Sequence, residues 1–128
     1  AERNSLILLI PMLLHKRLPA ERVQQLVNTM SSRSETDWGL ATEAQDSTLF
    51  ELTGYWRGPI WPAPTFFLIT ALAEAGFPEM ANRLRSKFFQ LVRQGGMAEN
   101  FQPLTGQGLS DQGFSWTAAV YLLLSESN

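Results

Sequence analysis

Two apolar runs in the middle of the chain, each headed by proline and closed by glycine, restrict the fold more than any other feature. Pro62 and Pro64 open a run holding Phe66, Phe67, Ile69, Leu72 and Ala73, and Gly76 closes it. Pro78 restarts the chain at once into a second run, where Met80, Leu84, Phe88, Leu91 and Val92 recur at helical spacing before Gly95-Gly96. Proline suits a first helical turn because the N–H it lacks would have no partner there. Glycine takes the left-handed position after a last turn at no steric cost. The spacing predicts helices over 64–75 and 79–93, and so short a link between them requires an αα-hairpin.

The rest of the chain follows the same grammar. Residues 4–16 are almost wholly apolar and predict a buried helix bent at Pro11, too short to cross a bilayer and without a small-residue cleavage pattern. Pro19 heads another helix over 20–30, with Val23, Leu26, Val27 and Met30 along one stripe. Residues 31–53 are polar and read as loop, with a short extended piece near 50–55. Residues 97–113 hold Pro103, Gly106 and Gly108 and predict a shaped loop, after which Ser115 or its neighbour caps a last helix to about 125. Five helices without a useful period-two stretch give an all-α class of stacked αα-hairpins.

Composition narrows function. A chain of 128 residues is the size of one small domain, and 45% hydrophobic residues are enough for a core. Charged residues make up 17% and the net charge is −2, so the basic face that nucleic acid requires is missing. Neither nucleic acid nor a membrane is expected as a partner. The absence of cysteine removes disulfide and thiolate chemistry and leans towards a reducing, cytoplasmic compartment without excluding secretion. His15 is the sole histidine, which argues against a histidine-based triad or metal site. No phosphate-binding loop or dinucleotide fingerprint occurs, so no metal and no cofactor is expected.

The chemistry concentrates in two loops. Glu99 lies beyond Gly95-Gly96 and is followed by Asn100-Phe101. A loop glutamate is ordinarily solvated surface. Here Met97, Phe101 and Phe114 would draw the loop against apolar material, and a carboxylate held partly out of water suits general-base work. Upstream, Tyr55-Trp56-Arg57-Gly58-Pro59-Ile60-Trp61 places indole faces and a guanidinium in a turn before a helix. Such faces pack in cores, but they also stack on the C–H faces of pyranose rings. Arg57 could serve sugar hydroxyls or a surface ion pair. Asp37, Asp46 and Asp111 read as turn residues, and Trp38 as a tether or a cleft wall.

These loops, with Phe114-Ser115-Trp116-Thr117-Ala118-Ala119 after them, resemble the C-terminal part of the (α/α)6-barrel glycoside hydrolases, nearest to glycoside hydrolase family 63 and its mannosylglycerate-hydrolase-like members. Trehalases and glycogen-debranching domains are more distant. The resemblance covers about residues 5–124, including the Trp38 to Ser47 stretch. It implies an (α/α)6 toroid of which residues 1–128 form one partial domain, a C-terminal portion, and an inverting hydrolysis of O-glycosyl bonds. It makes Glu99 the general base. It makes Tyr55, Trp56, Arg57, Gly58, Trp61, Asn100, Phe114 and Trp116 a sugar subsite. Two positions differ from the family pattern: Pro62-Ala63-Pro64-Thr65 stands where an asparagine often follows, and Gln102 where an aspartate precedes the motif proline.

The resemblance further implies that the partner acid is an aspartate in an upstream run like Asp-Asn-Ser-Pro-Arg, which this sequence does not contain. The chain alone is therefore expected to be an inactive fragment that binds an oligosaccharide or glycoside. Its apolar helix faces are expected to dock on the rest of a parent barrel or on a second copy. The alternative is a non-catalytic carbohydrate-binding or helical interaction module.

Overall fold

The computed structural model describes residues 4–126. Its first element is a 3₁₀ helix, Leu6–Arg17, with the Ser5 hydroxyl accepting from Ile7 N. Buried Leu6, Leu9 and Met12 fall three apart, the period at which 3₁₀ side chains eclipse. Only that edge is covered, and Ile7, Leu8, Leu13 and Leu14 stay exposed. The expected buried helix, bent at Pro11, is thus a tighter 3₁₀ helix buried along one edge.

Helix α1, Ala20–Thr29, buries Val23 and Val27 and runs on into a π turn, Met30–Ser34. The turn ends where Glu35 N donates to Met30 O at 3.0 Å. It places Glu35 within reach of Arg83 and Lys87.

Helix α2, Pro62–Glu74, and helix α3, Pro78–Gly95, form the expected hairpin, with α2 starting at Pro62 rather than Pro64. Their joint is a Schellman motif: Phe77 N reaches Leu72 O (2.9 Å) and Gly76 N reaches Ala73 O (3.3 Å), with Gly76 at φ +90°. Helix α4, Ser115–Glu126, packs on both. Met12, Met30, Leu68, Leu72, Leu84, Phe88, Leu91 and Leu124 belong to one core, and burying each such side chain contributes roughly 1.5–3 kcal/mol. The class is all-α, as expected.

Between the helices lies a ladder of short extended pieces that the sequence did not announce. Strand β1, Asn100–Phe101, pairs antiparallel with β2, Gly108–Leu109. Single bridges continue the ladder through Ile60↔Phe101, Ala41↔Ile60 and Ser5↔Glu43. The stretch 50–55, expected to be extended, is instead a series of turns. The ladder clamps the aromatic loop to the Glu99 loop, because Ile60 and Phe101 exchange hydrogen bonds of 2.8 and 3.0 Å. Among the described residues no helix is long and apolar enough to cross a membrane.

Candidate active site

Two framed loops meet at Glu99. Its backbone N–H donates to Asp111 O at 2.8 Å, so the hairpin holds the residue in place. Its side chain is half-buried. Oε1 accepts the Tyr55 hydroxyl at 2.6 Å, while among the described residues Oε2 has only a long 3.5 Å contact from Asp111 N. The hydrogen bond to Glu99 raises the Tyr55 phenol above its ordinary range, helped by desolvation and by the charges of Glu99 and Asp111. A phenolate there would stand against a second negative charge.

Tyr55 is itself fixed. It sits at φ +62°, a conformation that costs a non-glycine residue about 1–3 kcal/mol and persists only where its surroundings enforce it. Its carbonyl accepts from Trp61 Nε1 at 3.0 Å, and its ring meets Trp61 edge-on with centroids 4.8 Å apart. Trp56 lies flat on Trp61, centroids 3.8 Å apart and planes within 9°. Trp61 is 2% exposed and extended ahead of Pro62 at the first turn of α2. Tyr55 and Trp56 are 47% and 45% exposed, so the upper members of the stack are open. The result is an open aromatic shelf with a carboxylate at its lip.

The remaining expected site residues divide. Arg57 forms an ion pair with Glu51 at 3.0 Å, both about half exposed. Gly58 is buried and presents backbone only: Thr42 Oγ1 accepts from its N–H at 3.2 Å, and a Cβ on it would lie 2.1 Å from the Glu51 carbonyl oxygen. Asn100 is fully buried beneath the shelf. Its Nδ2 donates to Ser110 Oγ at 3.0 Å, and its buried Oδ1 has no hydrogen-bond partner among the described residues. Phe114 and Trp116 form a second aromatic pair with centroids 5.7 Å apart. That pair reaches Glu99 through backbone, since Phe114 N donates to Met97 O and Thr117 Oγ1 to Ala98 O. Contacts thus join Glu99 to Tyr55, and Tyr55 to Trp56 and Trp61, while Phe114 and Trp116 pair with each other.

Three contributors escaped sequence reasoning. Thr42 bonds Gly58 and the Pro59 carbonyl and so shapes the aromatic loop from far upstream. Asp111, read as a turn residue, frames Glu99 through its backbone. Gln102 turns the chain back, its Oε1 accepting from Leu104 N and from Thr105 N (2.9 Å), a task within reach of the aspartate it replaces. Thr42 lay in the Trp38 to Ser47 stretch and Gln102 at a departure from the family pattern, so each carried a signal; Asp111 carried none beyond turn chemistry.

The chain is similar to known proteins in sequence and fold. Residues 1–117 match the family described as Mannosylglycerate hydrolase MGH1-like glycoside hydrolase domain. The chain is 41% identical over 73 residues to mannosylglycerate hydrolase MGH1 of Selaginella moellendorffii, covering 57% of this chain and 15% of that protein. It is 40% identical over 68 residues to the glucosylglycerate hydrolase of Mycolicibacterium hassiacum, covering 53% and 15%. The fold superposes on the crystal structure of the GH63 mannosylglycerate hydrolase of Thermus thermophilus in complex with glucose, with TM-score 0.85 and 26% identity. That match covers 98% of this chain and 30% of the other, so the chain spans a minor part of each relative's length. With most of its residues matched, the chain belongs to the mannosylglycerate hydrolase MGH1-like family of glycoside hydrolases.

Proposed function

We propose that this segment supplies the general base and part of the sugar-binding shelf of an inverting glycoside hydrolase, acting on small glycosides of the mannosylglycerate or glucosylglycerate kind. The observation that carries this reading is the Glu99 carboxylate, half-buried and held 2.6 Å from Tyr55 at the edge of the Trp56–Trp61 stack. A pyranose resting on the open indole presents its anomeric carbon near that edge. A water between the two gives its proton to Glu99 and attacks from the face opposite the leaving oxygen. A second carboxylic acid, roughly 6.5–9.5 Å from the base, then protonates the departing group.

The sequence does not contain the Asp-Asn-Ser-Pro-Arg-like run from which the resemblance draws that acid. The 128 residues alone therefore bind sugar without turning it over. The rest of a barrel, packed on the exposed faces that carry Ile7, Leu13 and Leu14, completes the pair.

The test exchanges the matching part of the Thermus thermophilus mannosylglycerate hydrolase for this chain and follows mannosylglycerate and glucosylglycerate hydrolysis. Hydrolysis with inversion is expected in the hybrid, falling by about 10³-fold or more in Glu99→Gln. Undiminished hydrolysis in that variant would overturn the reading. A glucose titration of the chain alone, followed by tryptophan fluorescence, decides the matter if the hybrid does not fold. Sugar binding by the chain together with a parent hybrid that folds yet is as inert as its Glu99→Gln variant would assign a non-catalytic binding module instead.

A further inference from the structure

We propose that Tyr55 is the positioning residue of Glu99, fixing the carboxylate so that Oε2 is the oxygen that takes the proton from water. The inference rests on the reading of Glu99 as a base and goes beyond it by assigning Tyr55 a task other than stacking on sugar. Glu99 has two inequivalent oxygens. Oε1 is engaged by a short 2.6 Å bond from a neutral donor, and among the described residues Oε2 receives only a 3.5 Å amide contact. A base needs a free lone pair in a fixed direction. Binding one oxygen firmly and leaving the other nearly untouched provides that.

The donor must itself be immobile, and the loop makes it so. The Tyr55 backbone is held at φ +62°, its carbonyl is bound by the Trp61 indole, and its ring is wedged edge-on against both Trp61 and Trp56. Trp61 in turn is buried at the head of α2. A rigid line therefore runs from the first turn of α2 through Trp61 and Tyr55 to the carboxylate. A tyrosine used only as a sugar platform requires no left-handed backbone and no short bond to the base. The other charged groups nearby are Asp111, whose charge acts on the phenol from the loop before α4, and the Glu51–Arg57 pair within the aromatic loop.

Two readouts separate positioning from packing. The chain has two tyrosines, so a Tyr121→Phe background labelled with 13Cζ-tyrosine reports Tyr55 alone. Its phenol is expected to titrate above the ordinary tyrosine range and to move back in Glu99→Gln, or in Glu99→Asp should the first variant fail to fold. Titration at the ordinary value in the parent chain would overturn the inference. In the hybrid enzyme, Tyr55→Phe is expected to lower kcat by about 10- to 100-fold with KM changed less than about threefold. A raised KM with kcat intact would make Tyr55 a stacking contact only, leaving Glu99 as base. A Glu99→Gln hybrid as active as its parent would remove both assignments.

Discussion

Glu35 and Glu99 are both carboxylates drawn partly out of water, and the structure treats them in opposite ways. Glu35, with its side chain 9% exposed, is surrounded by cations: Arg83 approaches both of its oxygens, at 2.8 and 3.0 Å, and Lys87 stands at 2.8 Å. Burial favours its neutral form, yet the hydrogen bonds and charges of Arg83 and Lys87 outweigh burial and hold the carboxyl below the usual glutamate range. Glu99 is met by a phenol and a distant amide, and among the described residues no cation pairs with it. A carboxylate saturated by positive donors is a rivet, with every lone pair in use. One held by a single neutral donor keeps a lone pair for chemistry. The number and charge of the donors, more than burial, tells the two apart.

The sharpest way to break this contrast is to neutralise each in turn. In the hybrid enzyme Glu99→Gln should cost about 10³-fold or more in kcat while leaving the melting temperature nearly unchanged. Glu35→Gln should leave kcat within about twofold. A rate loss in the second variant comparable with the first would erase the distinction.

The shelf beneath Glu99 should be as sensitive to backbone as to charge. Gly58→Ala pushes a methyl into the Glu51 carbonyl and is expected to destabilise the chain by about 2–4 kcal/mol, measured by urea unfolding. A neutral result there would mean that the aromatic loop is free to relax.

Next in size is the stability carried by the rivet. Removing its charge leaves Arg83 and Lys87 without their anion, although Lys87 keeps the Thr36 carbonyl, and should cost about 2 kcal/mol, a figure moderated because Arg83 is nearly half exposed. The pH dependence has a definite sign. Because the folded carboxyl titrates below its value of about 4.5 in the open chain, its contribution is complete above that pH and is lost as pH falls through the folded value. Unfolding free energies measured from pH 6 down to pH 3, about the ordinary carboxylate range, should fall more steeply for the parent chain than for Glu35→Gln.

Smallest is Arg57→Ala, which removes a half-exposed partner of Glu51 and should change stability by less than about 0.5 kcal/mol. If it instead raises KM severalfold, the guanidinium leaves Glu51 when sugar arrives.

The helices were largely legible because their signals are local. Pro62, Gly76, Pro78 and Gly96 fix where α2 and α3 begin and end through backbone sterics that need no tertiary partner. The meeting of the aromatic loop with Glu99 was legible only through family resemblance, since Tyr55 and Glu99 lie far apart in the chain. Other features left no trace. A ladder built from single bridges at 5, 41, 43, 60 and 101 is too short at each rung to give a period-two pattern. The Glu35 cluster joins a π turn to a helix some fifty residues on, where every member looks like ordinary surface charge. The 3₁₀ character of the first helix was hidden because an unbroken apolar run is equally compatible with either helical period until its neighbours cover one edge.

The near-parallel seating of Trp56 on Trp61 has a consequence outside catalysis. Two indoles at 3.8 Å share excited states, so the pair should produce a paired positive and negative dichroism band that isolated chromophores do not. One of the two rings faces solvent, so an occupant settling on it would perturb that band directly. The protein thereby carries a built-in optical gauge of whether its shelf is filled, readable without label or turnover.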